Sequence, residues 1–132
     1  MSFEWDDRYT KGIARMDATH REFVELVNSL LQAPDETLAD GLQQLLDHSR
    51  AHFAQELEWM HACDFPPLAI HDGEHQRVLG VLQQAQRFAA DGEFTPVRSV
   101  IDSLPAWFEQ HAATMDNALA MHMQHAGLEG AE

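Results

Sequence analysis

Two histidine motifs, each one helical turn long, constrain this chain more than any other feature. The first is His52 followed by Glu56, and the second is His71 followed by His75, with a Pro-Pro pair between the motifs. Residues four apart lie on one face of an α-helix, so each pair can reach a single point beside its helix. Both pairs are therefore candidate chelating pairs.

These pairs share their helix faces with apolar residues. Leu45, Phe53 and Met60 recur at helical spacing around the first pair, and Val78 and Leu82 continue the stripe that the second pair begins. Metal-ligand residue types thus occupy core positions. A buried carboxylate costs several kcal/mol unless hydrogen bonds or a metal ion compensate for it. Pair spacing alone is weak evidence in a chain with 9 His, because such pairs also occur by coincidence.

Length and composition favour one soluble domain. A chain of 132 residues can bury a core without disulfides, and its single cysteine forms no internal disulfide. No stretch is typical of a signal peptide or a membrane span, so a cytoplasmic location is expected. The formal net charge of -14 argues against nucleic acid and anionic membranes as partners. The lack of an apolar run of membrane-spanning length argues against membrane insertion.

Helical periodicity predicts an all-α fold. We place four long helices at about residues 17–33, 36–62, 67–90 and 96–125, with Asp17, Asp35 and Thr95 as N-caps and Pro67 as a first helical residue. Short connections make consecutive helices antiparallel, which gives an up-down-up-down four-helix bundle.

The chain ends are expected to lie outside the helices. We divide the single domain 1–132 into an extended N-terminal arm (1–16), the bundle (17–125) and a C-terminal tail (126–132). Trp5 either anchors the arm as an apolar residue or roofs a site. The histidines near helix ends, His61, His122 and His125, are expected to be exposed, and His48 to lie at the core edge or on the surface.

Further polar residues converge on the two pairs. In this topology His20, early in the first helix, and His111, midway along the fourth, reach the same level of the bundle. Asp116 follows His111 by five residues, about 140° off its face, so either it reaches in from the flank or the turn widens into a π-bulge. Five imidazoles and two carboxylates are too many for one tetrahedral zinc ion, and they suit two iron ions bridged by carboxylates.

The ordered motifs resemble the hemerythrin family, and specifically the single-domain bacteriohemerythrins. That family places one His early in the first helix, His-x-x-x-Glu in the second, His-x-x-x-His in the third and His-x-x-x-x-Asp in the fourth. The matching positions are His20, His52, Glu56, His71, His75, His111 and Asp116. The resemblance covers essentially the whole chain.

The resemblance implies a non-haem di-iron centre with a bridging oxo or hydroxo group. His71, His75 and His111 are implied to ligate one iron, and His20 and His52 the other. Glu56 and Asp116 are implied to bridge the two ions. O2 would be held as hydroperoxide on the five-coordinate iron.

Four aromatic residues lie next to these ligands in the sequence and are candidates to line a dry O2 pocket: Phe23, Phe53, Trp107 and Phe108. Ordinary core packing explains them equally well. At the position of Phe108 the oxygen carriers of the family usually have Leu, which is implied to act as a lid over the open iron.

The leading functional interpretation is reversible O2 binding, serving storage, delivery or sensing, with O2 and an oxygen-consuming enzyme as partners and a monomer favoured. A di-iron enzyme that reduces peroxide or NO, or oxidises iron, is the alternative. The His-rich set favours binding over catalysis, because di-iron oxidases are usually carboxylate-rich. A structural bundle with incidental histidines is a third interpretation, which seven ordered matches make improbable.

Overall fold

Four antiparallel rods make up the protein. The computed structural model describes residues 3–128. The elements in chain order are a 3-10 turn at Asp7–Tyr9, α1 (Ala14–Gln32), α2 (Asp35–Ala62), α3 (Leu68–Ala90), α4 (Phe94–His111), a π-helical turn at Ala112–Asp116 and α5 (Asn117–His125). The last three follow one another without a break and form the fourth rod. The main contacts join α1 with α2, α2 with α3, α3 with α4 and α4 with α1, which confirms the predicted all-α four-helix bundle.

The first helix starts earlier than predicted. Ile13 is the N-cap of α1, so the prediction that Asp17 caps this helix is wrong. Asp17 lies in the first turn, where its carboxylate accepts hydrogen bonds from the backbone N–H groups of Lys11 (2.7 Å) and Gly12 (3.1 Å). The side chain therefore fixes the segment that leads into the helix, and the helix gains one more turn at its start.

The other helix starts differ from prediction by one or two residues. Asp35 is the first residue of α2 rather than its cap, and α3 begins at Leu68, one residue after Pro67. Because α4 begins at Phe94, Thr95 lies inside the helix and does not cap it. Phe94 packs against the apolar core, which extends the helix backwards.

The N-terminal arm packs against the bundle. Phe3 and Tyr9 are buried and Trp5 is half-buried, all of them against the larger apolar cluster. Residues 1–2 of the predicted arm and 129–132 of the predicted tail lie outside the described residues. Within residues 3–128, no helix has both the length and the apolar character that crossing a membrane requires.

Two apolar clusters divide the bundle interior along its length. The larger contains Phe23, Phe53 and Phe108, and the smaller contains Met16 and Met60. The predicted site residues fall between the clusters in sequence: His20 lies between Met16 and Phe23, and Glu56 between Phe53 and Met60. The fold thus places a polar layer between two apolar ones.

Candidate metal centre

All seven predicted site residues come together in this polar layer. Each is buried, with at most 8% of its surface exposed. His20 comes from α1, two residues each from α2 and α3, His111 from the end of α4 and Asp116 from the end of the π-helical turn. Every rod of the bundle therefore contributes at least one side chain to the site.

Glu56 lies between two groups of histidines. Its Oε2 is 2.7 Å from Nε2 of His52 and 3.8 Å from Nε2 of His20. Its Oε1 is 3.0 Å from Nε2 of His71 and 3.6 Å from Nε2 of His75. One carboxylate oxygen thus faces a group of two histidines, and the other faces a second group.

Asp116 has the same arrangement. Its Oδ2 is 3.1 Å from Nε2 of His20, and its Oδ1 is 3.2 Å from Nε2 of both His71 and His111. The potential ligand atoms accordingly form two sets that share Glu56. The two sets are His20, His52 and Glu56, and Glu56, His71, His75, His111 and Asp116.

A π-helical turn brings Asp116 into the site. In an α-helix, Asp116 would point away from the face that carries His111, since the two are five residues apart. The turn at Ala112–Asp116 is π-helical, and its i→i+5 hydrogen bonding aligns residues at this spacing. Of the two geometries that the sequence left open, the structure has the widened turn.

The polar atoms of the layer fit a bound cation. Despite these short distances, none of the contacts made among residues 3–128 by Oε2 of Glu56, Oδ1 of Asp116 and Nε2 of His20 has hydrogen-bond geometry, and all three atoms are buried. Nε2 of His75 and Nε2 of His111 point at each other, 3.0 Å apart. A buried polar atom without a partner costs about 1–3 kcal/mol, and imidazole with carboxylate suits iron.

Both carboxylates are held ionised. Burial and the charge of Asp116 act to raise the pKa of Glu56, but the imidazoles of His52 and His20 outweigh them and lower it well below its usual range. Burial also acts to raise the pKa of Asp116, and His111 and His20 lower it well below its usual range. The layer therefore contains two buried negative charges that require positive partners.

In the metal-free protein, protons on two histidines supply part of that positive charge. Burial acts to lower the pKa of His20, but the carboxylates of Asp116 and Glu56 raise it to about 9. The same carboxylates overcome burial at His71 and raise its pKa to about 9. The pKa of His75 is instead lowered to about 3, by burial and by the neighbouring His111.

Metal binding should therefore release protons. A metal ligates neutral imidazole, so binding at pH 7 must displace the protons on His20 and His71, about two per chain. Apparent affinity should rise with pH up to about 9, because fewer protons then have to be displaced. Calorimetric titration with zinc in two buffers of different ionisation heat measures the release. At pH 9.5 the release should be much smaller, and equal release at both pH values would contradict the assigned protonation.

A small cavity adjoins the group of two histidines. It offers about 10 Å³ for the centre of a water-sized molecule, roughly the space that one such molecule needs. All four aromatic residues singled out from the sequence line it, together with four of the site residues. The lining is Phe23, Phe53, Trp107, Phe108, His20, His52, His111 and Asp116.

Phe108 is covered by the N-terminal arm. Its ring lies edge-on to His20 at 5.3 Å between centroids, and it contacts Tyr9 at 5.1 Å and Phe3 at 5.8 Å on its other sides. Trp5 contacts Tyr9 and does not line the cavity. Phe3 and Tyr9 of the arm therefore cover Phe108, which lines the cavity. Trp5 instead anchors the arm to the bundle.

Two further histidines are partly buried: His48 at the core edge, one of the two positions predicted for it, and His122, which was predicted to be exposed. His48 is partly buried, its ring lies parallel to that of His52 with centroids 6.3 Å apart, and its Nε2 donates to the carbonyl of Thr19 at 3.2 Å. The spacing of four from His52 was the available signal. His122 is half-buried, not exposed, and its Nε2 donates to the carbonyl of Cys63 at 2.8 Å.

Comparison with known proteins gives one family. Residues 11–123 match the Hemerythrin HHE cation binding domain. A bacteriohemerythrin of Ralstonia nicotianae is 35% identical over 129 residues, which is 98% of this chain and 94% of the relative. A bacteriohemerythrin of Stenotrophomonas maltophilia is 26% identical over 121 residues, which is 88% of this chain and 78% of the relative.

Solved structures share the fold. The crystal structure of a hemerythrin with one leucine replaced by alanine superposes with a TM-score of 0.83 at 20% identity, over 92% of this chain and 98% of that one. A second hemerythrin structure, with a tyrosine replacing a leucine, gives a TM-score of 0.78 at 21% identity, over 88% and 95% of the two chains. At these identities the likeness concerns the four-helix fold alone.

Proposed function

The chain belongs to the hemerythrin family, and from this premise we propose that it binds O2 reversibly at a pair of iron ions. The family consists of non-haem iron proteins that bind oxygen and are not enzymes. We further propose storage of O2, or its delivery to an oxygen-consuming enzyme, as the physiological role.

The position of the two carboxylates carries the di-iron proposal. Glu56 and Asp116 each direct one oxygen at the group of two histidines and the other at the group of three. A carboxylate with ligands on both sides suits a bridge between two ions. We therefore assign His20 and His52 to one ion, His71, His75 and His111 to the other, and both carboxylates to the bridge.

The unequal ligand counts support one open position. With the bridging oxo or hydroxo group, three histidines and two carboxylates would give one ion six ligand atoms, and two histidines with the same carboxylates would give the other five. The cavity is lined by both histidines of the smaller group, His20 and His52. When bound, the iron pair would supply the electrons for reversible O2 binding.

The role of the surrounding chain is to keep this position dry. Phe23, Phe53 and Phe108 are at most 4% exposed, and Phe53 stacks on His75 at 3.8 Å between centroids. Apolar rings on several sides exclude water from a space of about one molecule. Water and protons would otherwise release the reduced oxygen as hydrogen peroxide and leave the iron oxidised.

Metal content tests the di-iron proposal. Seven ligand side chains fill the coordination of two ions and overcrowd one, so reconstituted protein should contain two irons per chain. Anaerobic reconstitution, removal of free iron and elemental analysis against protein concentration measure the ratio. One iron per chain, or a single tightly held zinc ion, would contradict the assignment of the seven residues.

A further inference from the structure

One wall of the cavity differs from all the others. Of the eight residues that line it, seven are buried and Trp107 is half-buried. The indole of Trp107 is therefore the most exposed part of the cavity wall.

A hydrogen bond to another helix fixes the ring. Nε1 of Trp107, on α4, donates to Oε1 of Glu74, on α3, at 2.9 Å. On the inner side the indole stacks on the imidazole of His111, with centroids 4.7 Å apart and planes 16° apart, and it adjoins the ring of Phe23 at 6.0 Å. Glu74 thus connects α3 to a ring that lines the cavity.

Arg77 fixes Glu74 in turn. Nε of Arg77 lies 3.1 Å from Oε1 and 3.2 Å from Oε2 of Glu74, one helical turn away. The Arg77 side chain is 58% exposed and that of Glu74 is 24% exposed. The guanidinium therefore holds the carboxylate from the solvent side, and Oε1 accepts from both Arg77 and the indole of Trp107.

Two interruptions of regular α-helical hydrogen bonding flank Trp107 in the fourth rod. Pro105 lies inside α4 and has no N–H to give to the preceding turn. After His111 the chain changes to π-helical hydrogen bonding. The indole of Trp107 is positioned in addition by its side-chain contacts to Glu74, His111 and Phe23.

We propose that Glu74 is a positioning residue for O2 binding, a latch that holds the Trp107 indole closed over the cavity and sets how fast O2 and water pass. This proposal rests on the proposed function. A gate changes passage in both directions by the same factor, so it changes rates and leaves the equilibrium unaltered. Loss of the latch should accelerate O2 binding, O2 release and oxidation of the iron, while O2 affinity stays near that of the parent.

Stopped-flow measurement on the reconstituted protein tests the latch. Glu74→Ala removes the acceptor and should raise the O2 association and dissociation rates together, by about tenfold if the bond is worth a typical charged hydrogen bond. Glu74→Gln keeps an oxygen that accepts from the indole, so it should restore rates close to the parent. Asp102→Ala removes an exposed carboxylate from α4 and is the matched control, with no expected change.

Comparing the single variants with the double variant tests whether the Glu74–Trp107 hydrogen bond itself accounts for the change in rates. Trp107→Phe keeps a ring in the wall and removes the indole N–H, so it should also accelerate both rates. Once the donor is gone, adding Glu74→Ala should have little further effect. Additive effects of the two substitutions on the rates would overturn the latch, because they would show that the residues act independently.

A fluorescence measurement reports on the ring without iron. With Trp5 and Trp59 replaced by Phe, Trp107 is the one tryptophan of the chain, and the protein is loaded with zinc, which has no redox chemistry. Acrylamide quenching should increase in Glu74→Ala and return to the parent level in Glu74→Gln. Unchanged quenching in Glu74→Ala would overturn the latch, whereas absence of O2 binding in the parent would overturn the proposed function alone.

Discussion

Glu56→Ala should abolish iron binding, because Glu56 is the one residue that belongs to both sets of ligand atoms. Its removal takes a ligand from each ion and one of the two negative charges that offset them. We expect iron affinity to fall by at least about a hundredfold, more than 2.7 kcal/mol of binding free energy. Elemental analysis after reconstitution and desalting measures the loss.

The same substitution should affect stability differently with and without metal. A ligand that binds the folded state stabilises it by about 2.7 kcal/mol at a concentration one hundred times its Kd. Glu56→Ala should lose this gain, so thermal unfolding should no longer respond to added metal. The metal-free protein should be destabilised less, because it buries the Glu56 carboxylate without its cation.

Glu58→Ala is the matched control for this experiment. Glu58 lies two residues further along α2 and is exposed, so its loss should change neither metal content nor the metal-induced rise in Tm. Glu56→Gln preserves the shape of the side chain and removes its charge. It tests the bridging role if the alanine variant fails to fold. Near-parental iron binding by both Glu56 variants would contradict the bridging role.

Phe108→Ala should accelerate oxidation of the oxygenated protein by tenfold or more. Its ring is 2% exposed and lies between the cavity, where it contacts His20, and the arm, where it contacts Tyr9. Removing the ring joins the cavity to the space under the arm and admits water. Each 1.4 kcal/mol of lost barrier corresponds to about a tenfold rate increase, and decay of the oxygen-dependent absorbance band measures the rate.

Two variants separate the lid role from a general loss of packing. Phe108→Leu keeps an apolar side chain over the cavity and should stay close to the parent. Phe88→Ala removes a half-buried ring that packs on the same apolar cluster and does not line the cavity. It should lower Tm without faster oxidation. An unchanged decay rate in Phe108→Ala would show that this ring is ordinary core packing and has no lid role.

Much of the fold and the candidate site follows from local periodicity. His52 and Glu56, like His71 and His75, share a helical spacing with core residues, so their inward direction could be predicted. The meeting of all seven residues followed from short connections, which force antiparallel neighbours. The position of Asp116 was harder to predict, because its spacing from His111 fits two geometries. The packing of the whole fourth rod decides between them.

Other features depend on contacts between distant segments and have no local signal. Glu74 carries no periodicity that sets it apart, and its importance comes from the distance between α3 and α4 at Trp107. The cover of Phe108 by Phe3 and Tyr9 depends on how the arm folds back. Asp17 resembles an N-cap in the sequence, but its carboxylate serves the loop before the helix. Local propensity cannot tell an aspartate that caps a helix from one that binds the loop before it.

The optical spectrum through a cycle of argon, air and argon tests reversible oxygenation at the iron pair most directly. Reduced, iron-loaded protein should be nearly colourless under argon and gain a charge-transfer band in air. It should lose that band again under argon, over repeated cycles and with two irons per chain throughout. Immediate and permanent conversion to the oxidised form in air, with no band that argon reverses, would contradict the account.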